Sequence, residues 1–170
     1  MKTQQAILVG LCIYPLILAA TTYFTRATRR RFLGAVAGGL SVAVVGVGVE
    51  VLAHALGLWR YPSIEQPYGP PLLYPLAVVV FAILALLGWR VMRRFGWRGE
   101  IVFLTALAVV GMLRDYFIAQ PMGIIVFAPG PLTVVVDAAC WIGTTALAQA
   151  TMRVVAGPAA ADGLARRPAR

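Results

Sequence analysis

Charge is the scarcest feature of this 170-residue chain, in which Asp, Glu, Lys and Arg together supply 12% of residues, where a soluble domain carries about 25%. That scarcity excludes an ordinary soluble globular domain. Six acids stand against fifteen Lys plus Arg, a formal charge of +9, which would suggest nucleic acid if the bases shared one soluble face. They fall instead between apolar runs, so no nucleic-acid partner is expected. Histidine occurs once and cysteine twice, as Cys12 and Cys140, with no CxxC spacing; both cysteines read as small packing residues. Soluble-enzyme signatures are missing too: there is no nucleotide-binding Gly-rich loop, no GxSxG elbow and no HExxH. No cofactor is implied.

What the chain has in abundance is apolar length, with 61% hydrophobic residues. Five stretches are long enough to cross about 30 Å of hydrocarbon at about 1.5 Å per residue: roughly Gln5–Phe24, Phe32–Leu58, Leu72–Met92, Ile101–Gln120 and Leu132–Val154. The expected fold is all-α, a polytopic bundle of five transmembrane helices forming one domain over 1–155, followed by a disordered basic tail from Ala156 to Arg170. Arginine clusters fall on alternate connections (Arg26, Arg29, Arg30, Arg31; Arg90, Arg93, Arg94, Arg98; Arg153, Arg166, Arg167, Arg170), whereas only Lys2 and Arg60 fall on the others. Since cytoplasmic loops retain basic residues, the N-terminus is expected outside and the C-terminus inside, in a bacterial-type inner membrane. A cleaved signal peptide is the competing reading of the first stretch, but its basic cluster follows the apolar run rather than preceding it.

Small residues crowd the second stretch, from Gly34 and Gly38 through Gly46 and Gly48, and let another helix approach closely. Packing within the bundle is the preferred reading, a homo-oligomer through the Gly34 and Gly38 face the alternative. Pro15 is expected to kink the first span. Tyr23, Trp59, Tyr61, Tyr68, Tyr74, Trp89 and Trp97 lie near the span ends and read first as interface anchors.

Ionisable groups inside spans are costly and call for a reason. There are five: Glu50, His54, Arg114, Asp115 and Asp137, all in the external half on the expected topology. Glu50 and His54, four apart, share one helix face, where an imidazole can tune a carboxyl. Asp137 and Trp141 share a face of the last span in the same way, with Thr144 a turn further. Arg114 and Asp115 diverge by about 100°, so Arg114 is expected to pair with Asp137 or Glu50 on another helix. Glu100 is read as a helix N-terminal acid favoured by the dipole. An ion-paired packing network is one reading of the five; a metal site is disfavoured by the single His and the lack of HxxxH or ExxH spacing. Three acids against one Arg and one His leave surplus negative charge, which points to a protonated carboxyl or a cationic ligand.

Two external connections frame this cluster. Residues 59–71 are rich in proline and aromatics. Residues 119–131 are too apolar to lie in water and are expected on the outer interface or folded over the bundle, either as a lid or as an anchor.

The segment from Glu50 through Gly57-Leu58-Trp59-Arg60-Tyr61 to Gly69-Pro70-Pro71-Leu72-Leu73-Tyr74-Pro75 resembles membrane carotenoid-modifying proteins of the lycopene-cyclase-like and carotenoid-hydratase group. It departs from the cyclases in lacking a paired-acid Pro-x-Glu-Glu motif, and the chain is shorter than the hydratases. The resemblance implies that Glu50 is the matching acid and that the chemistry is protonation of a polyene or isoprenoid double bond. The function expected is acid–base catalysis of the cyclase, isomerase or hydratase type on a lipid or other hydrophobic small molecule, in an outer-leaflet pocket. Glu50, His54, Asp115, Asp137 and Arg114 would carry the chemistry, and Trp59, Tyr61 and Trp141 would contact the substrate. The alternative is a small carrier or accessory subunit whose charges serve packing or proton movement.

Overall fold

The structure, a computed structural model, describes residues 3–62 and 66–158. Lys2, Glu65, Arg166, Arg167 and Arg170 lie outside the described residues, as does most of the expected tail.

Long apolar sequence gives long helices: α1 (Thr3–Thr25), α2 (Arg29–Ala55), α3 (Leu73–Arg114) and α4 (Pro131–Ala156). Four helical stretches, Ile7–Thr25, Arg29–Ala55, Leu73–Ala119 and Pro131–Ala156, are long and apolar enough to cross a membrane by length and composition, which fits a multi-pass membrane protein. Outward-facing Leu16, Val44, Phe117 and Val154 are exposed, a surface suited to lipid rather than water.

Where five separate stretches were expected, the third and fourth are joined in α3. Arg93, Arg94 and Glu100 continue the helix because none is a breaker; only Gly96 departs, at φ 64° and ψ −156°, a backbone region that glycine alone enters readily. There the chain doubles back. A Cβ on Gly88 would lie 2.8 Å from the Phe103 ring, whereas residues 88 and 103 of a straight helix would be about 22 Å apart.

The core lies among α2, α3 and α4, with Ala35, Val42, Ala82, Ala85, Leu86, Trp89, Ala148 and Met152 buried together, and α1 packs against α3 at the edge. Pro15 sits within a continuous α1. A Cβ on Gly34 would meet the Met152 carbonyl oxygen at 3.1 Å, and those on Gly38 and Gly39 would collide with the Ala148 and Val78 backbones. Gly34 and Gly38 are therefore faced by α4 of the same chain. Cys12 is exposed on α1 and apart from the partly buried Cys140, both free thiols.

The arginine clusters meet at one end of the bundle. Arg30 Nε donates to the Val155 carbonyl at 3.0 Å, the Arg31 guanidinium lies 3.9 Å from the Trp89 ring centroid with Arg93 at 5.5 Å, and Arg153 Nη2 donates to Glu100 at 2.5 and 2.6 Å. One expectation is corrected here. Trp89 is a buried platform for cations rather than an interface anchor. Glu100 lies in the first turn after the break at Gly96, at the start of the second part of α3, and is also bound by Arg153.

At the opposite end α2 closes on Gly57, whose φ of 68° lets Gly57 N–H bond the His54 carbonyl at 3.0 Å and Leu58 N–H bond that of Ala53 at 2.9 Å, the Schellman pattern. The chain then enters β1 (Trp59–Arg60), which pairs antiparallel with β2 (Val126–Phe127), Trp59 opposite Phe127 and Arg60 opposite Val126. The two Pro-rich connections are thus zipped into one cap.

Candidate functional site

Glu50, on the last turns of α2, is held by donors from the connection that follows it. Tyr61 Oη donates to Oε1 at 2.8 Å, while Gly69 N–H and Tyr74 Oη donate to Oε2 at 2.7 and 2.5 Å. All three partners donate, so the carboxyl group is purely an acceptor. Gly69 leaves little room for a side chain here, because a Cβ would lie 3.1 Å from Glu50 Oε1. His54, expected to tune Glu50, is exposed on the outside of the bundle, and the Glu50 oxygens are occupied by the tyrosines and the amide instead. The imidazole lies one turn nearer the helix end, where the chain has already turned away into the cap.

A second acid is built where α3 ends. A π-helical turn, Asp115–Ala119, follows it, with Gln120 N–H bonding the Asp115 carbonyl at 2.9 Å; such turns recur at functional sites. Asp115 is buried and takes Arg114 Nη1 on Oδ1 at 2.7 Å and Trp141 Nε1 on Oδ2 at 2.8 Å. The expected pairing of Arg114 with another helix is therefore corrected. Their backbones diverge, but the long Arg114 side chain closes the gap to its own neighbour. Its guanidinium also lies 6.0 Å from the Trp141 ring centroid, and the indole fits only because Gly111 faces it without a side chain.

Asp137, on the second turn of α4, is the unusual member. It is buried, and its Oδ2 has no hydrogen-bond partner among the described residues. The buried Tyr116 Oη nearby is also unpaired. Asp137 interacts electrostatically with both Asp115 and Arg114, and Tyr61 with both Glu50 and Asp115. These through-space interactions place Glu50, Tyr61, Asp115 and Asp137 toward the same end of the bundle, with no direct contact between Asp137 and the other two acids. Burial, then the adjacent Glu50 carboxylate, raises the Tyr61 phenol pKa far above its usual value.

The cap covers this group. Phe127 stacks on Tyr116 at 4.6 Å between centroids and meets Trp59 edge-on at 5.9 Å; Ala53, Leu58, Trp59 and Phe127 are buried together. Trp59, read as a substrate contact, is part of this cap, and Tyr61 and Trp141 are bound to the acids. An apolar groove of about 330 Å³ runs between α2 and α4, lined by Val45, Val49, Val136, Cys140, Thr144 and Leu147 among others, and none of Glu50, Asp115 and Asp137 is in its wall. Val49 and Val136 are the chain neighbours of Glu50 and Asp137. Among the described residues no three His, Cys, Asp or Glu gather closely enough to hold a metal ion.

Sequence reasoning missed Tyr74 and Gly69 as partners of Glu50. Tyr61 and Tyr74 bracket the Pro-rich connection, and that pairing of phenols around a carboxyl was the available signal.

The chain matches no protein-family model, and no curated protein or solved structure is detectably similar to it.

Proposed function

We propose that this protein is a membrane-embedded acid–base enzyme acting on a double bond of an isoprenoid or another long-chain lipid. The observation that carries the reading is a buried carboxyl oxygen without a partner among the described residues, on Asp137, in a bundle that also holds a second acid, Glu50, as a hydrogen-bond acceptor and an apolar groove between α2 and α4. In this scheme Asp137, neutral, gives its proton to one alkene carbon, and the π electrons form the new C–H bond. The cation left on the neighbouring carbon is faced by the Glu50 carboxylate. Glu50 then takes a proton from an adjacent carbon, restoring a double bond, so that one proton enters and one leaves the substrate. Arg114 and Trp141 hold Asp115 in place between the two. The cap excludes water from the cation.

The same reading includes a topology. The reversal at Gly96 divides Leu73–Ala119 into two crossings, giving five in all, and the arginine-rich end lies in the cytoplasm with the Glu50 site in the outer leaflet.

The test is a comparison of lipids and isoprenoids extracted from cells making the wild type, Glu50→Gln and Asp137→Asn at equal membrane levels. A metabolite changed by the wild type and by neither variant supports the enzyme and names its substrate class. Unchanged lipids in hosts that supply isoprenoid precursors would overturn it.

A further inference from the structure

One end of the bundle carries positive charge that no acid matches. Arg26, Arg29, Arg90, Arg94 and Arg98 are exposed there and make no ion pair among the described residues. Glu100, the one described acid at this end, is taken by Arg153. The backbone adds to the charge rather than offsetting it, because the first turn of α2 holds Arg29, Arg30 and Arg31 and no acid, at a helix terminus that favours anions.

Two connections share this surface, the α1–α2 turn at residues 26–28 and the reversal of α3 at Gly96. They are tied together beneath it. Arg31 of α2 and Arg93 of α3 lie over the same buried Trp89 ring, at 3.9 and 5.5 Å from its centroid, and Arg30 bonds the Val155 carbonyl at the end of α4. The exposed guanidinium groups therefore stand on a packed base formed by three helices.

Aromatic rings lie among these charges. Tyr23, Phe24, Phe95 and Trp97 are 78%, 76%, 61% and 66% exposed. The Arg94 guanidinium is 5.3 Å from the Phe95 ring centroid and that of Arg98 is 5.7 Å from the Trp97 ring. A guanidinium beside an exposed ring suits a molecule that presents anionic oxygens and hydrocarbon next to each other. A phospholipid does so: its phosphate takes the planar donors of arginine, and its glycerol region lies at the level where aromatic rings settle. A free anion or a water-soluble acidic partner would use the arginines and leave the rings without a match.

We infer that the arginine-rich end is a binding surface for anionic phospholipid headgroups, with phosphates seated on the exposed arginines of the α1–α2 turn and the α3 reversal and the four rings set in the glycerol region. The inference rests on the bundle lying across a membrane. It depends neither on what Glu50 acts on nor on which side of the membrane this end faces.

The experiment reads thermal unfolding of the purified full chain in micelles of a non-ionic detergent, with phosphatidylglycerol or phosphatidylcholine of the same acyl chains added in increasing amounts. Phosphatidylglycerol is expected to raise Tm by about 5 °C at saturation and phosphatidylcholine by much less, and sodium chloride at about 0.5 M should remove most of the difference. Arg29→Gln combined with Arg94→Gln is expected to lose most of the phosphatidylglycerol shift, whereas Arg60→Gln, at the opposite end, keeps it. Equal shifts from the two lipids, or a full shift in the doubly substituted protein, would overturn the surface. Inorganic phosphate or a single-stranded oligonucleotide that matches phosphatidylglycerol at equal phosphate would also overturn it, by assigning the arginines to a free anion or to nucleic acid. The comparison of the two lipids on the wild type needs no variant, so it decides even if a substitution prevents folding. No isoprenoid is present, and a surface that fails leaves the Glu50 chemistry standing.

Discussion

The Trp141 indole donates its N–H to Asp115 Oδ2 at 2.8 Å while its ring lies flat in the space left by Gly111. One residue of α4 thus fixes the acid at the end of α3 by a hydrogen bond and fixes the helix beside it by shape. The two contributions are separable by mutation. Trp141→Phe keeps most of the ring and removes the donor, leaving a buried Asp115 oxygen unpaired; a loss of about 1–3 kcal/mol is expected. Gly111→Ala keeps the donor and drives a methyl group into the ring, which overpacks the interface by about 1–3 kcal/mol. Thermal unfolding in detergent micelles reads both as a lowered Tm. A Trp141→Phe protein as stable as the wild type would show that the hydrogen bond contributes nothing.

The glycines of α2 divide into two kinds, and substitution is expected to sort them. Cβ atoms on Gly38 and Gly39 would strike main-chain atoms of Ala148 and Val78, which cannot swing aside, whereas those on Gly46 and Gly48 would meet nothing within 4 Å. Gly38→Ala and Gly39→Ala should therefore push α2 off its neighbours and lower Tm or yield sharply. Gly46→Ala and Gly48→Ala should raise stability by up to about 1 kcal/mol through helix propensity alone. Equal effects at all four positions would refute the internal packing of this face.

How much of this was legible in the sequence depends on the range of the interaction. Apolar runs and arginine clusters mark where helices lie and which ends gather the basic side chains, because burial and charge act along the whole run. Spacing of four did not foretell pairing: Trp141 bonds Asp115 on another helix rather than Asp137, and Glu50 is held by Tyr61, Gly69 and Tyr74 rather than by His54. Glu50 shows the limit: its donors come from residues 61, 69 and 74, on a connection whose path follows from a positive-φ Gly57 and a two-residue strand pairing that no periodicity announces. The tightness of the turn between the two parts of α3 was hidden for a related reason. A charged run reads as a loop, yet arginines propagate a helix well, and the reversal rests on Gly96 alone.

That dependence on Gly96 is itself testable. Its φ of 64° and ψ of −156° suit only glycine, while a Cβ there would meet nothing within 4 Å, so the cost of substitution is conformational rather than steric crowding. Gly96→Ala is expected to lose about 1–3 kcal/mol. Gly99→Ala, a helical neighbour pressed against Phe95 and Val91, makes a useful contrast because it tests crowding without the backbone strain. If Gly96→Ala unfolds at the wild-type temperature, the reversal does not sit at this residue.

The phenol–carboxylate contact of Tyr61 with Glu50 gives the bundle a dependence on alkaline pH. Burial and the neighbouring carboxylate raise the folded-state pKa of Tyr61 far above the 10.0 expected of a free phenol, so the group binds its proton more tightly folded than unfolded. Below about pH 10 both states are protonated and the contribution to stability is complete. Above it the unfolded chain loses the proton, the folded chain keeps it, and stability falls as pH rises. Tyr61→Phe removes this titration together with one of the three donors to Glu50. The variant should be less stable at neutral pH, by about 1–3 kcal/mol for the oxygen left short of a donor, yet its Tm should decline less steeply than that of the wild type between neutral pH and about pH 11. Tm measured across that interval in micelles decides the matter, since equal slopes in the two proteins would mean that Tyr61 ionises as easily folded as unfolded, and the contact with Glu50 would then not be a tight, water-free one.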